Sequence, residues 1–255
     1  MIKNTWTVAQ RDFKSYFASP IAYIIIAGFL GIMGWMFFFN LSHFAQQNLQ
    51  YQAMNMGKPS SITDGIIRPH YGNMNVVFLL LVPFITMRLF AEEKKNHTIE
   101  LLMTSPLSLT EIILGKFLSS LLLVCVMMGL TLFYPAVLFL TGNPEIGPVV
   151  TSVLGTLLLC SCYLSIGILF SAMTENQIVA GALTFAAGLF FWLISWGAQS
   201  AGPVWSDVLQ YLSLIGHFNN FGQGTIDTSD LVFYFSFIGI GLFLTHRILD
   251  SYRWR

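Results

Sequence analysis

One stretch of the 255-residue sequence contains the residue types of a phosphate-binding loop. Residues 57–60 read Gly-Lys-Pro-Ser, and a glycine, a lysine and a serine end such loops, where backbone N–H groups and the lysine bind phosphate. Gln52 stands where the first glycine of the loop belongs, and Pro59 separates the lysine from the serine. The sequence therefore predicts no nucleotide site in this chain.

The histidines, cysteines and serines are also spaced poorly for catalysis or metal binding. No two histidines have the four-residue spacing of a helical zinc motif, although His97 follows the pair Glu92-Glu93. Cys160 and Cys162 are two residues apart, which places them on different faces of a helix. No serine has the G-x-S-x-G context of a nucleophile elbow. We predict no catalytic residue, no metal site and no cofactor bound by this chain.

Charge is concentrated in residues 88–106, RLFAEEKKNHTIELLMTSP, which we call the charged segment. The chain as a whole is 55% hydrophobic and 9% charged, whereas soluble domains contain about 25% charged residues. A helix should end before Pro106, because the residue preceding a proline is pushed out of the α region. Ser108 and Glu111 then fit a capping box that opens the next helix.

Six apolar stretches are suited to cross a bilayer, which takes about 20 helical residues. We place the spans at residues 20–41, 73–91, 114–140, 148–172, 178–198 and 229–247. The sixth helix is expected to be capped by Ser229 or Asp230. The prediction is an all-α polytopic membrane protein, one transmembrane domain over residues 1–255, with a cytoplasmic loop at 92–113.

The distribution of lysine and arginine predicts the orientation. An even number of spans puts both termini on one side of the membrane. All but two of the 12 Lys and Arg residues fall on that side, the exceptions being Lys58 and Arg68. Because basic loops stay in the cytoplasm, both termini and the charged segment are predicted to be cytoplasmic, in the inner membrane of the cell.

The first 19 residues have the pattern of a basic amphipathic helix, which we call the elbow helix. Trp6, Phe13 and Phe17 fall on an apolar face, and Lys3, Arg11 and Lys14 are among the residues of the polar face. This pattern is typical of a helix that lies in the membrane interface.

Three further features concern the helices themselves. Residues 44–72 are rich in Gln and Asn and are predicted to form an irregular outer loop. Pro83 and Pro135 are expected to kink the helices that contain them. Residues 204–221 are predicted to form a short helix at the outer surface.

The charged segment resembles the first intracellular loop of ABC type-2 permeases, the membrane halves of ATP-driven exporters. The resemblance lies in R-x-x-x-E-E from Arg88, followed by T-x-E-L-L-x-T-x-P-x-S from Thr98. It implies a cytoplasmic coupling helix that docks on a separate ATPase chain, which would bind ATP and Mg²⁺. The residues it implies for docking are Glu92, Glu93, Thr98, Glu100, Leu101, Leu102, Met103 and Pro106.

A second motif, H-F-x-x-F-x-x-G-x-I-D-x-x-D, resembles an outer-loop motif of the same family. It is most similar to the branch that includes gliding-motility and nitrous-oxide-reductase accessory permeases. Its members are His217, Phe218, Phe221, Gly224, Asp227 and Asp230. Local structure accounts equally well for two of them, because Gly224 suits a helix stop and Asp230 a helix start.

The resemblance implies partners as well as a function. The implied partners are an ABC ATPase subunit, a second permease copy or paralogue and the lipid bilayer, and an accessory protein on the outer side is compatible with it. Nucleic acid is not among them, since the sequence has no basic patch or stripe. The chain would serve either transport, with an amphipathic substrate favoured, or transmission of force to an outer partner. The alternative is an ATPase-independent membrane scaffold or intramembrane enzyme.

Overall fold

In the computed structural model, the described residues are 2–54, 61–104, 106–142, 144–200 and 202–252. These ranges form helices and contain no strand. The α-helices are α1 (Ile2–Ala18), α2 (Pro20–Ala53), α3 (Arg68–Thr86), α4 (Ala91–Lys95), α5 (Ile99–Thr104), α6 (Leu109–Thr131), α7 (Phe133–Thr141), α8 (Ile146–Met173), α9 (Gln177–Ser200), α10 (Pro203–Leu212), α11 (Leu214–Gly222) and α12 (Thr228–Tyr252). A π-helix at Thr63–Ile67 leads into α3.

Six helical stretches are long and apolar enough to cross a membrane. They are Ala22–Tyr51, Thr63–Lys95, Leu109–Leu140, Ile146–Met173, Gln177–Gly197 and Thr228–Tyr252. The predicted all-α polytopic architecture with six transmembrane helices is confirmed. The stretches range from 21 to 33 residues, so the longer ones extend beyond the roughly 20 residues that a bilayer requires.

The prediction of an irregular loop at residues 44–72 is wrong. Helix α2 continues to Ala53, and the chain is helical again from Thr63. Residues 55–60 lie outside the described part of the chain. Gln, Ala and Leu are good helix formers, so a change to polar composition does not by itself end a helix.

Helix α8 lies at the centre of the bundle and contacts α3, α9, α11 and α12. Glycines let the neighbouring helices approach closely. A Cβ atom at Gly167 would collide with Thr86 of α3, and one at Gly241 of α12 would lie 2.8 Å from Oγ of Ser165. Close approach of this kind favours association of helices in lipid, where packing replaces the hydrophobic effect.

The helix that begins at Leu109 is interrupted near a proline. Helix α6 ends at Thr131 and α7 begins at Phe133, two residues before Pro135. Pro135 has no N–H to donate to the carbonyl of Thr131 four residues earlier, which accounts for the break. The kink expected at Pro135 takes the form of a break between α6 and α7, whereas Pro83 lies within the continuous helix α3, where a kink stays a prediction.

The two ends of the bundle carry different parts of the chain. At one end, which we call the elbow end, α1, α4 and the last turn of α12 come together through Asp12–Lys116 and Lys94–Tyr252 contacts. At the opposite end, the N–H of Glu145 donates to Oγ1 of Thr63 over 3.3 Å. The elbow helix, the charged segment and the end of α12 therefore share one side of the bundle.

Candidate coupling site

The charged segment folds into two short helices joined by a tight turn. After α4, His97 has a left-handed backbone with φ of 55°. The N–H of Thr98 donates to the carbonyl of Glu93 (2.9 Å), and that of His97 to the carbonyl of Lys94 (3.1 Å). This pair of bonds is a Schellman motif, which usually has glycine at the left-handed position. The turn ends α4 and changes the direction of the chain before α5. We call α4, the turn and α5 together the helical hairpin.

The inner face of this hairpin is tied to the end of α8. Oγ of Ser171 accepts the N–H groups of Phe90 (3.0 Å) and Ala91 (3.1 Å) and donates to the carbonyl of Met87 (3.2 Å). The ammonium of Lys94, only 3% exposed, donates to the carbonyl of Ala172. A cation at the last carbonyls of a helix also complements the helix dipole.

Lys94 extends the attachment to the C-terminal helix. Its Nζ lies 3.6 Å from the centroid of the Tyr252 ring, in the last turn of α12. A cation over an aromatic face gains electrostatic energy, and more so when it is removed from water. Helix α4 is thus joined to α8 and to α12 by one side chain.

A buried ion cluster joins the charged segment to the elbow helix. Lys116, on the first turns of α6, has a side chain that is 3% exposed. Its Nζ lies 2.7 Å from Oε1 of Glu93 and 3.4 Å from Oδ2 of Asp12. Arg11 supplies a second cation, 2.8 Å from the other oxygen of Asp12. Removing one partner of a buried ion pair leaves an uncompensated charge, which is unfavourable. The cluster therefore stabilises the packing of α1, α4 and α6 against one another.

The elbow helix packs closely on α6. A Cβ atom at Gly115 would lie 2.7 Å from Cβ of Val8 and 3.1 Å from the carbonyl of Thr5. Nδ2 of Asn4 donates to Oε1 of Glu111 over 3.2 Å. Glu111 is also the end of the predicted capping box with Ser108, which is present in both directions and is confirmed.

The apolar side chains predicted for the elbow helix have different environments. Trp6 is 54% exposed, whereas Phe13 and Phe17 are partly buried against the core with ring centroids 5.1 Å apart. The buried side of the helix carries Thr5, Val8, Ala9 and Asp12. The helix therefore has a second, protein-facing side that contains polar groups.

Tyr16 connects this helix to the second span. Its hydroxyl donates to the carbonyl of Ile85 in α3 over 3.3 Å. Burial, and then the charge of Asp12, raise the pKa of the Tyr16 phenol well above its ordinary value. The phenol is consequently a neutral donor at physiological pH.

The residues predicted for docking do not all face outward. The exposed ones are Glu92, Thr98, Glu100 and Pro106. Glu93 is bound inside the chain by Lys116, and the Thr98 hydroxyl donates to the carbonyl of Glu93 over 3.2 Å. The side chains of Leu101, Leu102 and Met103 lie outside the described residues.

The outer motif forms a compact cluster at the other end of the bundle. Nδ1 of His217 lies 2.6 Å from Oδ1 of Asp230, and Nε2 lies 2.8 Å from the carbonyl of Tyr211. Nδ2 of Asn220 donates to Oδ2 of Asp230 over 2.9 Å. Both nitrogens of His217 are thus within hydrogen-bond distance of an oxygen atom. The ring also stacks on Phe233, with centroids 4.0 Å apart.

The two phenylalanines of the motif pack against α8. A Cβ atom at Gly155 would lie 2.6 Å from Cβ of Phe221 and 3.2 Å from Cδ2 of Phe218. Oγ1 of Thr151 donates to the carbonyl of Phe221 over 2.7 Å. Helix α11 is therefore seated directly on the central helix.

The remaining motif residues shape the turn into α12. Gly224 has φ of +87° and follows the end of α11, which confirms its role as a helix stop. The expected cap of the last helix is wrong by two or three residues. Helix α12 begins at Thr228, and Oδ1 of Asp227 accepts the N–H of Ser229 over 3.0 Å. Asp230 lies in the first turn of α12, and its carboxylate contacts His217 instead of capping the helix.

Asp12 and Lys116 are absent from the residues predicted above. Each lies among other polar residues in the sequence, a pattern that predicts an exposed side chain. Their contact joins positions 104 residues apart, which local patterns do not reveal. One signal was available: Asp12 is the single acidic residue in the otherwise basic first 19 positions. An isolated acid in a basic helix indicates a partner elsewhere in the fold.

Comparison with known proteins agrees with this arrangement. The family model described as "ABC-2 family transporter protein" matches residues 6–244, which covers most of the elbow helix and the whole of the charged segment and the outer motif. No curated protein matches the chain. The match does not specify a branch, so the gliding-motility assignment stays a prediction. The chain belongs to the ABC-2 transporter family and is a membrane permease component of an ABC transporter.

Proposed function

We propose that this permease transmits the work of a separate ATPase chain, which binds ATP and Mg²⁺, through the charged segment to its transmembrane helices. The observation that supports this is the contrast between the two faces of the helical hairpin. Its inner face is bonded to three helices: to α8 through Lys94 and through Ser171, to α12 through Lys94, and to α6 through Glu93. Its outer face presents the exposed acids Glu92 and Glu100.

This attachment suits a mechanism in which movement of α4 displaces several transmembrane helices at once. A partner that displaces α4 would pull on Ala172 of α8, Tyr252 of α12 and Lys116 of α6 together, because each is bonded to the same five-residue helix. Lys116 passes the movement to the elbow helix through Asp12. Buried charged bonds transmit such a displacement better than exposed ones, which are screened and worth about 0–1 kcal/mol.

The remaining parts of the proposal come from the sequence and the family. The side with most lysines and arginines would be cytoplasmic, in the inner membrane, and a second copy or a paralogue would complete the transport path. The spans carry few polar groups, which favours an amphipathic substrate. The same movement of α4 would serve transport of a solute or transmission of force to an outer partner.

Charge reversal on the outer face tests the docking. We expect Glu92→Arg with Glu100→Arg to lower the amount of copurified ATPase by about tenfold or more, because like charges in a contact cost several kcal/mol and each 1.4 kcal/mol is roughly a factor of ten. Glu93 is left unchanged, since its reversal would break the pair with Lys116. The measurement is copurified ATPase and ATP turnover at matched permease levels.

The control for this experiment is Glu145→Arg, which reverses an exposed acid at the opposite end of the bundle. It should retain wild-type copurification. Wild-type copurification and turnover in the double variant would show that the charged segment is a solvated connector and would overturn the proposal.

A further inference from the structure

A cavity of about 360 Å³ opens where the elbow helix meets the first two spans. We call it the elbow cavity. Its polar side is formed by Arg88, Glu92 and Glu93, next to the Asp12–Lys116 pair. Its apolar side is formed by Ala22, Ile25 and Phe84. Phe84 is 55% exposed on the outside of the bundle, so the apolar side continues to the surface of the membrane-spanning helices.

Several charged groups at the cavity have unused bonding capacity. Within the described ranges, neither Arg88 nor Glu92 forms an ion pair. Oε1 of Glu93 is bound by Lys116, but Oε2 is buried and has no hydrogen-bond partner. A buried acceptor without a donor costs free energy, so a ligand that brings an N–H group to Oε2 would be stabilised there.

The arrangement of these groups selects a class of ligand. A ligand with only negative charge would meet Arg88 but also the carboxylates of Glu92 and Glu93, which would repel it. A ligand with only positive charge would leave Arg88 without a partner. The complement is a molecule that carries an anion and a nearby ammonium, together with an apolar tail for the Ala22–Phe84 side.

We propose that the elbow cavity binds a membrane phospholipid whose headgroup joins a phosphate to a primary ammonium, as in phosphatidylethanolamine. The phosphate lies against Arg88, since guanidinium binds phosphate oxygens well. The ammonium lies between Glu92 and Oε2 of Glu93. An acyl chain follows Ile25 and Phe84 into the bilayer. A trimethylammonium headgroup is disfavoured because it has no N–H to donate to Oε2. The lipid site does not require a docked ATPase and is tested separately from it.

The test uses the purified full-length permease and three phospholipids with identical acyl chains. Native mass spectrometry would compare retention of phosphatidylethanolamine, phosphatidylcholine and phosphatidylglycerol. We expect phosphatidylethanolamine to be retained about tenfold better than the other two, the ratio for one additional charge-assisted hydrogen bond. Equal retention of the three lipids, or preference for phosphatidylglycerol, would overturn the proposal.

Variants locate the site and separate the two ends of the headgroup. Arg88→Gln should lower retention of phosphatidylethanolamine about tenfold, and Glu92→Gln should reduce its advantage over phosphatidylglycerol. Lys14→Gln removes an exposed cation from the same elbow helix outside the cavity and should change neither value. Ala22→Phe fills the apolar side without changing charge and should also release the lipid.

One further arm distinguishes a lipid from a soluble ligand of the same chemistry. Free phosphoethanolamine has the headgroup charges without the tail, so at equal concentration it should not displace phosphatidylethanolamine. Displacement would assign the cavity to a soluble ligand. Full retention of the lipid by both Arg88→Gln and Ala22→Phe would place it elsewhere on the protein. Either result would overturn the proposal.

Discussion

Nζ of Lys116 lies 2.7 Å from Oε1 of Glu93, so the third transmembrane helix holds the charged segment directly. The same ammonium lies 3.4 Å from Oδ2 of Asp12 in the elbow helix. One buried cation therefore joins three elements that enter the fold from distant parts of the chain. The segment expected to meet a partner is not a loose loop but an extension of the transmembrane bundle.

Removal of this cation should destabilise the permease. We expect Lys116→Met to lower the free energy of unfolding by about 3–5 kcal/mol, because Glu93 would lose its counter-charge in a largely buried position and Asp12 would keep only the exposed Arg11. The measurement is the unfolding midpoint in detergent. Lys14→Met, which removes an exposed lysine of the elbow helix, serves as the control and should be nearly neutral. Equal stability of the two variants would mean that the ion cluster does not contribute to the free energy of unfolding.

The close packing of the elbow helix on α6 predicts a second result. Gly115→Ala should cost about 1–3 kcal/mol and partly release the elbow helix, since the new methyl group meets Cβ and Cγ1 of Val8 at 2.7 Å. Gly129→Ala is a matched control in the same helix, because a Cβ there has no neighbour within 4 Å. Protease cleavage of the elbow helix would be compared at equal concentrations. Faster cleavage in the Gly129 variant than in the Gly115 variant would contradict the packing.

The cluster at the opposite end predicts a third result. Asp230→Asn should cost about 1.5–3 kcal/mol, because it weakens charge-assisted hydrogen bonds to His217 and Asn220. Asp227→Asn is the control, since Asn caps a helix as well as Asp does. Thermal unfolding of both variants checks this. If Asp227→Asn is the more harmful change, the His217–Asp230 pair is not what holds α11 on α12.

Local signals in the sequence predict local structure well in this chain. The Ser108–Glu111 capping box, the stop at Gly224 and the break before Pro135 each depend on residues within a few positions of one another. The polar composition of residues 44–53 resembles that of a loop, so the sequence pattern does not predict the helical continuation to Ala53. Polar residues extend a helix readily once it is beyond the lipid.

The contacts of the candidate site are harder to predict from local signals in the sequence. Lys116 and Asp12 are 104 positions apart, and only packing of the elbow helix against α6 brings them together. Glu93 is the same case: its pattern predicts an exposed docking residue, but the fold places Lys116 beside it. A charged residue in a loop-like stretch can form a buried ion pair or remain exposed, and the sequence alone does not distinguish these two outcomes.

The most direct test of the proposed coupling is site-specific photo-crosslinking in the native membrane. A photo-reactive amino acid would replace Glu100 on the outer face of the hairpin or, separately, Glu145 at the opposite end. The account predicts that the Glu100 position crosslinks to a polypeptide that also binds an ATP analogue, and that the Glu145 position does not. Capture of the ATP-binding polypeptide from Glu145, or from neither position, would contradict it.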